Sequence, residues 1–158
     1  MRYMTQETFL IRKAVKEDCP QMLELVQELA LYEKAPEEVT VSLSHFQESG
    51  FGKNPVWWGF VAENIDKQIV AMAIYYIRYS TWKGQTMYLE DIVVTEKYRR
   101  FGIGQQLLDV LKLEAKERNL PFIQWQVLEW NEPAILFYRK NKAELDAEWI
   151  NCKVKVEC

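Results

Sequence analysis

Leu89-Glu90-Asp91-Ile92-Val93-Val94-Thr95-Glu96-Lys97-Tyr98-Arg99-Arg100-Phe101-Gly102-Ile103-Gly104 decides the fold. The apolar part reads as a buried strand, the polar part as a short turn, and R-x-x-G-x-G as the opening of a helix. A helix N-terminus presents N–H groups ahead of the hydrogen-bond ladder and a partial positive charge. A strand feeding such a turn is therefore suited to phosphate. Gly102 and Gly104 lack a Cβ and let backbone approach a ligand closely. Arg99 and Arg100 add fixed positive charge in a geometry that matches phosphate oxygens. Ile103, Leu107, Leu108, Leu111 and Ala115 recur at helical spacing and predict an amphipathic helix over residues 104–118.

Upstream, residues 8–12 read as a first strand. Asp18 is placed to cap a helix running to Tyr32, with Pro20 in its first turn and Met22, Leu25, Val26 and Leu29 as its apolar stripe. Residues 33–40 read as a loop, and 42–49 as a short helix stopped by Gly50 and Gly52. Residues 57–63 and 69–79 read as strands joined by a turn at Asn64-Ile65-Asp66-Lys67. Gly84 marks the next turn, and residues 87–94 are the fourth strand. Downstream, Asn119-Leu120-Pro121 breaks the helix, residues 122–128 form a fifth strand, Pro133 opens a helix reaching Asn141, and residues 148–156 form a last strand. A strand, crossover helix and strand make the fourth and fifth strands parallel. The expected architecture is α/β (α+β): one mixed, mostly antiparallel twisted sheet with helices on both faces, in a single domain over residues 1–158.

Composition narrows the chemistry. The 158 residues are 49% hydrophobic and 27% charged, with a net charge of -3, so nucleic acid is not an expected partner. No apolar run has membrane-spanning length, and Met1-Arg2-Tyr3-Met4-Thr5-Gln6-Glu7 lacks the apolar core of a signal peptide. Cys19, Cys152 and Cys158 are odd in number and lack metal spacing, which points to a reducing, cytoplasmic setting and no metal site. His45 is the one histidine and sits in a polar helical stretch, so Ser-His-Asp and Cys-His catalysis are poor readings. No Lys-Ser or Lys-Thr follows Gly104, which argues against a Walker A loop, and Leu107 stands where a dinucleotide fingerprint needs its third glycine.

R-x-x-G-x-G after a strand resembles the pyrophosphate loop of the GNAT acyltransferase superfamily. Asn131-Glu132-Pro133-Ala134-Ile135-Leu136-Phe137-Tyr138 is similar to that superfamily's N-x-x-A-x-x-F-Y signature. The resemblance is closer to the diamine (spermidine/spermine) acetyltransferases and covers nearly the whole chain. It rests on Glu28-Leu29-Ala30, Tyr32-Glu33, Gly50-Phe51-Gly52, Tyr75-Tyr76, Trp82, Tyr88-Leu89-Glu90-Asp91, Tyr98-Arg99, Phe101-Gly102-Ile103-Gly104 and Glu129-Trp130-Asn131-Glu132-Pro133.

The resemblance implies a GNAT fold with splayed fourth and fifth strands, acetyl-CoA as cofactor, a small-molecule amine as acceptor, and a homodimer to which the last strand contributes. It implies that pantetheine pairs with the backbone of Ile92, Val93 and Val94. Arg99, Arg100, Phe101, Gly102, Ile103, Gly104 and Gln105 would hold the pyrophosphate, and Asn131, Glu132, Pro133, Ala134 and Tyr138 would complete the cofactor site. A phenol such as Tyr138 can protonate the leaving thiolate. Glu90 would serve as base, through water, and as amine ligand; in a regular strand its neighbour Asp91 would point to the opposite face. Tyr32, Glu33, Asp91, Trp82, Gln124, Trp125, Gln126 and Glu148 are the other implied substrate positions.

Two departures stand out. Where the family commonly has a glycine after Tyr138, this chain has Arg139-Lys140-Asn141-Lys142-Ala143, in which Asn141 can take the left-handed turn, and the segment after Ala143 is shortened. The acceptor stays open between a polyamine and thialysine or a lysine-like amino acid. The amino acid needs a cationic partner for its carboxylate, and Arg78 and Lys83 are the candidates. A non-catalytic acyl-CoA sensor would need the pyrophosphate loop but neither Glu90 nor Tyr138.

Overall fold

The computed structural model describes residues 8–158; the leading segment Met1 to Glu7, read above as no signal peptide, lies outside the described residues. The chain divides into two compact units, one ending at Gln126 and one spanning Val127–Cys158.

The first unit is built on a five-stranded sheet in the order β1-β2-β3-β4-β5. β1 (Leu10–Lys13), β2 (Trp58–Glu63), β3 (Ile69–Ser80) and β4 (Gly84–Val94) pair antiparallel, and β5 (Ile123–Gln124) joins β4 in parallel. Alternation along the strands sorts the apolar side chains to two faces. Phe60, Ala73, Tyr75, Met87 and Leu89 pack with Ile103, Leu107, Leu111 and Ala115 of α3 (Ile103–Glu117). Val61, Met72, Ile74 and Val93 pack on the other face with Met22 and Leu25 of α1 (Cys19–Tyr32) and Phe46 of α2 (Leu43–Phe51). Each large apolar side chain buried this way contributes about 2 kcal/mol.

Local details depart from the expected boundaries for identifiable reasons. Asp18 does not cap α1: its carboxylate accepts the Val15 N–H at 2.8 Å and pairs with Arg12. α2 runs through Gly50 to Phe51, and the Trp57 indole occupies the space that a Cβ on Gly50 would need. β5 is two residues long rather than seven, because only Ile123 and Gln124 find ladder partners on β4.

In the second unit, α4 (Glu132–Lys140) starts at Asn131, whose side chain accepts the Ala134 N–H, and carries Pro133 in its first turn. The turn after it is made by Lys142 at φ 62°, not by Asn141 at φ -88°. No strand forms over residues 148–156. Trp149, Ile150, Val154 and Val156 are exposed there. Strand-forming residues hold a strand only where a neighbouring ladder takes their backbone N–H and C=O groups.

Arg12 joins three parts of the first unit. Its guanidinium donates to Asp18 at 2.7 and 2.9 Å and to Glu63 at 2.8 Å, linking β1, the turn before α1 and the end of β2. These hydrogen bonds hold the Asp18 and Glu63 carboxyls below their ordinary values. Arg12→Met strands two buried carboxylates and should lower Tm at pH 7 by about 10 °C; a thermal melt within about 2 °C of wild type would show that the pair network carries no stability.

Candidate active site

The register of β3 against β4 shifts at one point. Ile74 lies opposite Asp91 and Tyr75 opposite Leu89, so Glu90 has no partner of its own and forms a β-bulge. The extra residue resets the alternation. Met87 and Leu89 before it and Ile92 after it face the α3 core, while Asp91 and Val93 turn to the α1 side. Glu90 and Asp91 therefore share one face, and the regular-strand expectation that Asp91 points away is overturned by the bulge.

Both carboxylates line an open pocket of about 390 Å³, with Leu23 and Val26 of α1, Phe46 of α2, Val41, Val56, Trp57, Ile74 and Tyr76. That volume lies within the range of small-molecule sites. Burial, then the charge of Glu90 and then that of Glu33, push the Asp91 carboxyl up to about 7. Glu33, directly after α1, is itself raised by burial. The Tyr76 and Tyr88 phenols are raised by burial and then by Glu90. The result is an acidic pocket with apolar and aromatic walls, suited to a cation with an aliphatic body.

The segment after β4 is fixed from several sides. The Tyr98 phenol accepts the Asn64 amide at 3.2 Å, and its ring meets Phe9 and Phe101. Glu28 of α1 accepts the Thr95 hydroxyl at 3.1 Å and the Glu96 N–H at 3.0 Å. Arg99 donates to the Val94 carbonyl at 3.0 Å, approaches Glu28 at 3.8 Å and lies over the Tyr32 ring at 5.4 Å. Arg99 thus ties the strand end to α1, and the Val94 carbonyl already has a donor.

Gly102 starts α3 at φ 75°, a conformation that costs glycine nothing. The helical ladder begins with Gln106 N–H to Gly102 C=O, so the amides of Ile103, Gly104 and Gln105 precede it. The β4–β5 ladder ends at Tyr88 opposite Gln124, and beyond it the pairing of β4 continues with β3 alone. A strand margin leading to a helix N-terminus fits an extended pantetheine arm ending in a pyrophosphate.

The other expected positions are scattered. Trp82 is 84% exposed at the β3–β4 turn. Six residues of β4 separate Gly84 from Glu90, about 20 Å of strand. Gln124 is engaged by the Thr86 hydroxyl at 3.0 Å, and Trp125 packs against the α3-side core. Arg100 and Gln126 are exposed. In the second unit Tyr138 is buried, and Glu132, Pro133 and Glu148 are exposed. Tyr76 was not singled out as a site residue in the sequence; its even spacing from Ile74 on β3 was the available signal. Among the described residues, no group of three His, Cys, Asp or Glu side chains is arranged to hold a metal, and no helix is long and apolar enough to cross a membrane.

Comparison with known proteins agrees with this arrangement. The profile of the Acetyltransferase (GNAT) family matches residues 19–142. A bovine (Bos taurus) thialysine N-epsilon-acetyltransferase is 35% identical over 152 residues, covering 90% of this chain and 89% of the relative. A human (Homo sapiens) spermidine/spermine N(1)-acetyltransferase-like protein 1 is 34% identical over 90% of this chain, which spans 21% of that protein. An aminoglycoside N-acetyltransferase solved in complex with CoA shares the fold at a TM-score of 0.77 and 15% identity, over 98% of this chain and all of that one. The chain belongs to the GNAT acetyltransferase family, and is an acyltransferase whose acetyl donor is acetyl-CoA.

Proposed function

We propose that the chain, as one N-acetyltransferase domain over residues 1–158, acetylates the primary amine of a small cationic molecule. The acceptor is a diamine or polyamine such as putrescine, spermidine or spermine, or a lysine-like amino acid such as thialysine. The observation that carries this reading is the turning of Glu90 and Asp91 into one pocket, with the charge of Glu33 acting on it.

An alkylammonium has a pKa of about 10.4, so only about one molecule in 2,500 is a free amine at pH 7. The pocket must hold the cation and also remove a proton. Two carboxylates in one pocket can divide that work: one faces the ammonium while the other accepts the proton, directly or through water. Asp91 is the better matched acceptor, because general bases work best with a pKa near the operating pH. Glu90 and Glu33 supply the other acidic contacts to the amine, and Tyr32 precedes Glu33 in sequence.

Bound acetyl-CoA supplies a thioester carbonyl, whose carbon forms the new N–C bond as the C–S bond breaks. The backbone of Ile92 and Val93 and the amides from Arg100 to Gln105 hold the donor. Residues Asn131, Glu132, Pro133 and Ala134 take the roles the family signature gives them, and the Tyr138 hydroxyl proton goes to the departing sulfur. With one exposed histidine and a single buried cysteine, Cys19, the attack is direct, without an acetyl-enzyme. The setting we propose is the cytoplasm, in keeping with three unpaired cysteines. We also propose a homodimer, supported by the four exposed apolar side chains between Trp149 and Val156, which gain cover in an assembly.

Release of CoA, followed over spermidine, spermine, putrescine, lysine and thialysine, tests the function; no release with any of them would sink it. The rate against pH should fall below about 7 as Asp91 takes up its proton, and Asp91→Asn should remove that limb and cost about 100-fold in kcat. A limb that persists in the variant would exclude Asp91. The Asp91 carboxyl is raised above its unfolded value, so its favourable contribution to stability is full below about pH 4 and lost as pH rises through about 7. Asp91→Asn should therefore raise Tm more at pH 8 than at pH 4. Tyr138→Phe should lower kcat about 100-fold with CoA affinity unchanged; wild-type turnover would remove Tyr138 from the acid role.

A further inference from the structure

β3 and β4 extend the acidic face toward their shared turn. Arg78 is two residues beyond Tyr76 on β3, so it falls on the same face as Ile74 and Tyr76. Its register partner is Thr86. The guanidinium lies over the Tyr88 ring, 5.8 Å from the centroid, and the Tyr88 and Tyr76 rings are 5.0 Å apart. Tyr76 lines the pocket that holds Glu90 and Asp91. A single line thus runs from two carboxylates across two tyrosines to a cation.

Two observations give that cation a purpose. Among the described residues Arg78, like Arg100 and Arg139, makes no ion pair, whereas Arg12, Arg99 and Arg118 each do. Its position is also restrained by stacking on Tyr88, unlike Lys83 at the exposed turn. Tyr88 is two residues from Glu90 along β4, about 7 Å of strand, and the guanidinium sits over its ring, so the line has a negative end and a positive end. A diamine or polyamine held at Glu90 and Asp91 would bring its second ammonium toward a like charge. A molecule with an amine at one end and a carboxylate at the other satisfies both ends, and the planar guanidinium fork matches a carboxylate.

We propose that Arg78 is the specificity-determining residue of the acceptor site, holding the α-carboxylate of an amino acid whose side-chain amine reaches Glu90 and Asp91. The assignment rests on reading the bulge pocket as the amine site. It selects lysine-like amino acids over diamines and polyamines of similar length.

The test compares lysine and thialysine with 1,5-diaminopentane, which is lysine without its carboxylate, as acceptors for the wild type, Arg78→Met and Arg78→Lys. The wild type should favour the amino acids in kcat/KM. Arg78→Met should lower the amino-acid-to-diamine ratio by roughly 10- to 100-fold, mainly through the KM of the amino acid, and Arg78→Lys should restore part of it. A ratio unchanged in Arg78→Met, or a wild type that favours the diamine, would overturn the role of Arg78 while leaving the amine site intact. A wild type that acetylates none of the three overturns the amine site and this assignment together.

Discussion

One surplus residue in β4 sets the direction of the two carboxylates that line the pocket. A strand has a period of two, so inserting Glu90 without a partner on β3 exchanges the faces of all residues on one side of it. Leu89 and Ile92 can then both enter the α3-side core, and Asp91 is forced in beside Glu90. The β4–β5 ladder ends nearby, at Tyr88. Core packing and the acidic pocket are two results of one break in register.

The margin of β4 beyond that ladder is useful only if the loop after it is rigid. The segment from Thr95 to Gly102 has little regular structure, and its order comes from side chains of distant elements. Glu28 reaches it from α1, Asn64 from the β2–β3 turn, and Phe9 from the residues just before β1. Arg99 closes the set from within by bonding the carbonyl at the strand end. An arginine that sequence reading assigns to phosphate thus also holds the loop to α1.

The sheet, its order of elements and the α3 helix were legible because residues 57–63 and 69–79 are near-continuous apolar and aromatic runs bounded by turns, and residues 103–115 carry a strong period-3.6 pattern. The bulge was legible in principle: Met87, Leu89, Ile92 and Val94 are spaced two, three, two, and only an inserted residue puts all four on one face. A regular strand would turn Asp91 to the opposite face, although the family resemblance already placed it at the substrate site. The remaining misses share one cause. Residues 122–128 and 148–156 have the composition of strands, and composition carries no information about whether a ladder neighbour is present. Gly50 looked like a helix stop because the demand of the Trp57 ring for space comes from a residue seven positions away in sequence. The raised Asp91 carboxyl also depends on Glu33, brought near by α1, which no local pattern encodes.

With Asp91 titrating at about 7, the pocket is a proton reservoir as well as a negative surface. A cation that enters while Asp91 carries its proton expels that proton to solvent. Binding is then an exchange of one positive charge for another. The net charge of the protein changes by less than the charge of the ligand, and the heat of association takes on the ionisation heat of the surrounding buffer.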